Sequence, residues 1–232
     1  MITSTDRERL ATALKSVRCG IEGACRRAGR DPSEVTLVAA TKGVPPIVVR
    51  LASELGVADF GENYAKELAA KASEVSATWH FIGRIQRGTA ALIGDHASMV
   101  HSAEPGEGIV RLGGRAARRN DTIRCLVQVD YTGHRQGVEP EGAEGFVREA
   151  RAMAGIAVVG LMTLPPLADR PEATRPFFSR LRELRDTLQK RWPEVRELSM
   201  GMSADYEVAV EEGATMVRVG TALFGERPSE PR

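Results

Sequence analysis

From residue 34 onward, short apolar runs and helix-like segments take turns along the chain. Eight runs carry the alternation: "EVTLVAAT", "VADFGEN", "TWHFIGR", "SMVHS", "IRCLVQVD", "AVVGLMT", "RELSM" and "TMVRVGT". The segments between them have helical spacing, as in 172–191, where Phe177, Leu181, Leu184 and Leu188 step by four and three. Strands that alternate with helices pair in parallel. Eight such units are the number that closes an α/β (β/α)8 TIM barrel. An open doubly wound sheet is the other arrangement such a pattern allows, and the count favours the barrel. Ahead of the first run, Leu10, Leu14, Val17, Ile21 and Cys25 share one face and predict an extra N-terminal helix over about 6–28, ended by "GRDPSE". At 232 residues the chain sits at the short end for a barrel. One domain over 1–232 is expected, with the barrel over about 34–226.

Composition excludes several classes. Hydrophobic residues are 42% and charged residues 27%, the balance of an ordinary globular protein. With 32 basic and 31 acidic side chains, nothing global points to nucleic acid or to a membrane surface. The basic run "RLGGRAARRN" reads as a solvated helix face and loop. The start, "MITSTDRERL", has no secretory pattern, and no segment approaches the ~20 apolar residues that span a bilayer. The cysteines, Cys19, Cys25 and Cys125, are odd in number and form no C-x-x-C, which fits a reducing cytoplasm. Cys19 and Cys25 read as small packing residues. No His, Cys, Asp or Glu spacing suggests a metal. No long exposed apolar stretch stands out, so a monomer is expected.

The chemistry gathers at one end of the expected barrel. In "LVAATKGVPP", Lys42 ends the first strand, and Thr36, Val38, Ala40 and Lys42 share a face. If that face is the lumen, Lys42 crowns it, and desolvation there favours the neutral, nucleophilic amine. The plainer reading is a lysine that snorkels into water. Asn63 in "FGENY" can orient a polar ligand or cap a turn. His80 reads as a core histidine. Ser203 suits the N-cap of a helix that Gly213 ends, with Asp205 and Glu207 in its first turn. The loops after the last two strands are where barrels build phosphate sites, and Ser199, Gly220 and Thr221 supply small residues with backbone N–H groups. Arg218, between Val217 and Val219, faces the lumen by alternation and needs a partner there, either a buried carboxylate or a ligand acceptor. A lysine, a phosphate cradle and a buried arginine at one barrel mouth suit pyridoxal 5'-phosphate, held as a Schiff base on Lys42. A Schiff-base aldolase acting on a sugar phosphate would use similar parts.

"LVAATKGVPP", "DFGENYAKE", "WHFIGRIQ", "GLMTLPP" and "LSMGMSADYEVAVEEGATMVRVGTALFGER" resemble, in order, the YggS/PROSC family of pyridoxal phosphate homeostasis proteins. The resemblance implies a barrel like the N-terminal domain of alanine racemase. It implies that Lys42 carries the cofactor, that Arg218 meets the ring nitrogen, that Ser199, Gly220 and Thr221 hold the phosphate, and that Asn63 lies beside the cofactor. Met200 completes the expected cofactor-binding set. The sequence departs from the family pattern at Gly88 and Thr89, where Asn and Lys are usual, and at Arg135 in "RQG", where the family often has lysine. Racemases of this type need a second acid/base group, usually a tyrosine from an added domain. Tyr64, Tyr131 and Tyr206 have no obvious claim to that role. The expectation is therefore a binding and homeostasis protein with little or no turnover, acting on pyridoxal phosphate, small amines or amino acids, and exchanging cofactor with pyridoxal-phosphate-dependent apo-enzymes. The alternative is an amino-acid racemase of loose specificity.

Overall fold

The computed structural model describes residues 3–226; residues 1–2 and 227–232, the ends of the expected domain, lie outside the described residues. All eight apolar runs are strands: β1 Thr36–Ala40, β2 Asp59–Glu62, β3 Thr78–Phe81, β4 Met99–Ala103, β5 Ile123–Val129, β6 Ile156–Thr163, β7 Glu197–Ser199 and β8 Met216–Val219. They pair in parallel in chain order, and β1 joins β8 through Val38↔Arg218 and its neighbours, closing the barrel. The barrel therefore has no sheet edge, and the open-sheet alternative falls away. The helices between strands are α2 Pro46–Glu54, α3 Ala65–Glu74, α4 Ala90–His96, α5 Glu107–Ala117, α6 Ala143–Arg151, α7 Arg175–Gln189 and α8 Tyr206–Glu211; α9, Thr221–Phe224, follows β8.

The N-terminal helix α1 spans Ser4–Ala28. It starts at a capping box in which Thr3 Oγ1 accepts from Asp6 N and the Asp6 carboxylate accepts from Thr3 N. Gly29, in the left-handed region at φ 65°, ends it. Its predicted apolar face is the buried one, and it lies against α8 and α9. Arg27 reaches Glu207 and Glu211 on α8. Cys25 packs as expected, whereas Cys19 is exposed, because it lies off the Leu14–Val17–Ile21 face. In α7 the buried aromatic ring is Phe178, and Phe177 is only half-buried. The helix starts three residues later than the 172–191 pattern implies, behind a short turn at Pro171–Thr174.

Strand alternation sorts the core into two bodies. Val38, Met99, Leu126, Met162 and Met216 form one apolar cluster in the lumen. Their neighbours Ala39, Val100, Val127, Leu161 and Val217 point outward into the shell beneath the helices. Beside this apolar cluster the lumen also carries polar side chains, with His80, His101, Ser199 and Arg218 all buried. The basic run of α5 is held by one carboxylate: Asp95 accepts from Arg115 and Arg119. No described helix is long and apolar enough to cross a membrane.

Candidate functional site

Lys42 lies two residues beyond the end of β1, in the turn Thr41–Val44. Gly43 takes φ 66° there, a conformation that favours glycine. The turn is anchored from below. Lys71 of α3 is buried and donates to Thr41 O at 2.7 Å, to Glu62 Oε2 at 2.7 Å and to Glu67 Oε2 at 2.6 Å. Glu67 Oε2 also accepts from Gly43 N, and Thr41 Oγ1 donates to Glu62 Oε2. The backbone on both sides of Lys42 is thereby tied to a single ion-pair cluster. The side chain of Lys42 is exposed, so the expected desolvation is not present: the turn carries the lysine past the strand end to the open rim.

Asn63 follows β2 directly. Its N–H donates to Glu62 Oε1 at 2.8 Å, which joins it to the same cluster. Its backbone presses on Gly83, where a Cβ would stand 2.0 Å from Asn63 O. Asn63 is thus a fixed, half-buried residue at the rim, one strand from Lys42.

Arg218 faces the lumen as alternation predicts, while Val217 and Val219 join the outer shell. Among the described residues no carboxylate forms a salt bridge with it. The guanidinium donates to Ser199 Oγ and, at 3.0 Å, to Thr163 O. Burial pulls its pKa down to about 10, against the longer-range pull of Asp205, and it stays a cation at neutral pH. Hydrogen bonds to neutral oxygens at the end of β6 and β7 leave its charge available to a ligand acceptor.

The residues expected to hold a phosphate are divided. Ser199 is fully buried and engaged with Arg218 and His101. Met200 turns into the outer shell, and its N–H donates to Met216 O. Gly220 and Thr221 lie at the β8–α9 junction as expected. Ser203, expected at the N-cap of α8, does not cap it: Asp205 holds that position, and its carboxylate accepts from Met202 N at 2.7 Å. Ser203 Oγ instead accepts from Gly220 N and Ala222 N, each at 3.2 Å. Gly201, at φ 89°, turns the chain between β7 and α8, and a Cβ there would meet Ala209 at 2.5 Å. Sequence reasoning gave Ser203 a sufficient local role and so missed this one. The signal was the second serine in "SMGMS".

Of the three tyrosines, Tyr64 is exposed at the rim beside Asn63. Burial pushes the Tyr131 hydroxyl up to about 12. Tyr206 packs its hydroxyl end on Gly20 of α1. Among the departures from the family pattern, Arg135 is exposed, with its N–H tied to Asp130 Oδ2, and Gly88 has open space around it.

This barrel, with a lysine at the rim after β1 and an arginine rising inside β8, defines a class: barrels of the alanine racemase N-terminal type. The family model described as alanine racemase, N-terminal domain, matches residues 24–228. The chain belongs to that family and, within it, to the pyridoxal phosphate homeostasis proteins. Relatives of that name include one from Aquifex aeolicus, 39% identical over 226 residues and covering 95% of this chain and 97% of the relative. Another, from Pseudomonas aeruginosa, is 38% identical over 224 residues, 94% of this chain and 96% of the relative. Among solved structures, PipY of Synechococcus elongatus with PLP bound superposes with a TM-score of 0.81 at 31% identity, over 93% of this chain and all of that one. Alanine racemase from Clostridium difficile shares the fold, with a TM-score of 0.76 at 16% identity, over 96% of this chain and 58% of the racemase.

Proposed function

We propose that this protein binds pyridoxal 5'-phosphate and serves its homeostasis, with Lys42 as the covalent attachment point and little or no turnover. The observation that carries the reading is the position of Lys42 just past β1 and of Arg218 inside the neighbouring β8, in a chain 31% identical to a structure with PLP bound. The donor set fits the group. Lys42 offers an amine at the rim for a Schiff base, and Arg218 is a buried cation whose present acceptors are neutral oxygens. The β7–α8 and β8–α9 loops bring the Ser203 hydroxyl, now accepting from Gly220 N and Ala222 N, beside Thr221, and these groups would turn to a phosphate when it binds. When bound, the cofactor supplies a carbonyl that exchanges between lysine and free amines. Asn63 and the Lys71 cluster hold the rim in place around it.

We infer low turnover from where the tyrosines lie. Moving a proton across a substrate plane needs a second group with a pKa near the working pH. Tyr131 is far from that range and Tyr206 packs on α1, which leaves exposed Tyr64. We also assign the chain to the cytoplasm as a monomer of one domain, delivering cofactor to apo-enzymes that need it.

The test is the visible spectrum of purified protein, with and without borohydride, beside Lys42→Ala. A yellow protein that bleaches on reduction, with the label on the peptide containing Lys42, is expected. Because Lys42 is exposed, the variant should fold normally and stay colourless. A protein that remains colourless after pyridoxal phosphate is added would overturn the reading. Sustained exchange of alanine enantiomers, lost in Lys42→Ala, would establish the racemase instead.

A further inference from the structure

Behind Arg218 the lumen holds a continuous file of polar side chains that reaches the opposite end of the barrel. Ser199 Oγ lies 2.8 Å from His101 Nδ1, and His101 Nε2 lies 2.8 Å from His80 Nδ1. The two rings meet edge to face at 83°. His80 Nε2 lies 3.0 Å from Asp59 Oδ1, on the first residue of β2. Thus β8, β7, β4, β3 and β2 contribute one member each.

The two ends set the direction of every link. A guanidinium can only donate, and a carboxylate can only accept. A neutral imidazole has one N–H and one lone pair. If the Ser199 hydroxyl accepts from Arg218 and donates to His101 Nδ1, then His101 Nε2–H donates to His80 Nδ1 and His80 Nε2–H donates to Asp59. Every atom is then satisfied. The reverse order would aim a lone pair of His80 at the Asp59 carboxylate. It would also leave the Ser199 hydrogen without an acceptor in a fully buried place. Burial above all, with the nearby charges of Arg218 and Arg124, holds the His101 pKa well below the ordinary histidine value, consistent with a neutral ring.

We propose that Ser199, His101, His80 and Asp59 are positioning residues for Arg218: a one-way donor file that fixes the guanidinium and so tunes its contact with the ring nitrogen of the bound cofactor. The inference rests on the reading of Arg218 given above. The file lets a distant carboxylate oppose the arginine's charge without a direct salt bridge, so the face of the guanidinium toward the mouth keeps its donors.

The first measurement uses 15N-labelled, cofactor-free protein and long-range 1H–15N spectra of the imidazoles at about pH 7.5, above the ordinary histidine range. His101 and His80 should each carry their proton on Nε2. A His101 protonated mainly on Nδ1, or a His80 carrying both protons, would overturn the proposal, and no variant needs to fold for this result. The second measurement compares pyridoxal phosphate titrations and visible spectra of Ser199→Ala, Ser199→Thr and Asp59→Asn. Ser199→Ala should weaken binding by about tenfold, the worth of one good hydrogen bond, and Asp59→Asn by roughly threefold. Both should shift the visible band, which a merely structural role would leave in place, and Ser199→Thr should restore it. Unchanged affinity and band in Ser199→Ala and Asp59→Asn would equally overturn it. Failure of the unaltered protein to bind pyridoxal phosphate would sink the proposed function, while the imidazole spectra would still decide whether the file exists.

Discussion

Lys71 and Arg218 are both buried cations near the barrel mouth, and they are stabilised by opposite means. Lys71 has two carboxylates and a carbonyl within 2.7 Å, so its charge is consumed by structure. Arg218 has neutral acceptors and keeps its charge for use. Removing one partner of a buried pair leaves the other charge stranded. Lys71→Met should therefore cost about 3–5 kcal/mol in urea unfolding, because the Glu62 carboxylate is fully buried. The double variant with Glu62→Gln should recover much of that loss. A small effect in Lys71→Met would show that water reaches Glu62. Gly83 makes a second residue-scale prediction. A methyl at Gly83 would overlap Asn63 O, so Gly83→Ala should displace the rim and weaken cofactor binding more than it lowers the unfolding midpoint.

At the scale of elements, α7 shows how one residue of register changes energetics. Phe178 is fully buried in the shell core and Phe177 is only half-buried. Phe178→Ala should cost about 3–5 kcal/mol, and Phe177→Ala about 1 kcal/mol. Equal costs in denaturant titrations would place the helix in a different rotation. The pair β1 and α3 forms the other working unit. α3 has little to do with the chemistry itself, yet its Glu67 and Lys71 hold the backbone that carries Lys42.

For the whole molecule, stability should respond to pH in two windows. Arg175 first, and Arg27 after it, hold Glu211 below the usual carboxylate range, and Arg115 does the same for Asp95. A carboxyl group lowered on folding adds stability that is present above its unfolded pKa and lost as pH falls through the lowered native value. His101 is buried neutral, so its contribution is complete above the ordinary value of 6.5 and erodes as pH drops below it, when the unfolded chain takes up the proton. The unfolding free energy from urea titrations should therefore decline below 6.5, by at most about 1.4 kcal/mol per pH unit for one proton. It should fall more steeply in the carboxylate range, and the first decline should vanish in His101→Gln. A midpoint that holds steady down to about pH 5 would mean His101 is not held neutral.

The amino-acid order by itself determined the eight strands, the N-terminal helix with its buried face, and the inward aim of Arg218. Each follows from a local period of two or 3.6 residues, and a closed barrel is the arrangement that buries both faces of eight parallel strands. Even the weak run "SMVHS" is a strand, because its neighbours on both sides demand one. Tertiary structure alone decided what those residues meet. His101 and Ser199 are 98 positions apart, and Arg218 reaches Thr163 across 55. Ser203 looked complete as a local cap, and only the return of β8 beside β7 gave it the amides of Gly220 and Ala222. The exposure of Lys42 likewise depends on the Thr41–Val44 turn and on the α3 side chains beneath it. Periodicity reports which face a side chain is on; which groups share that face is set by strand register and closure, to which distant segments contribute equally.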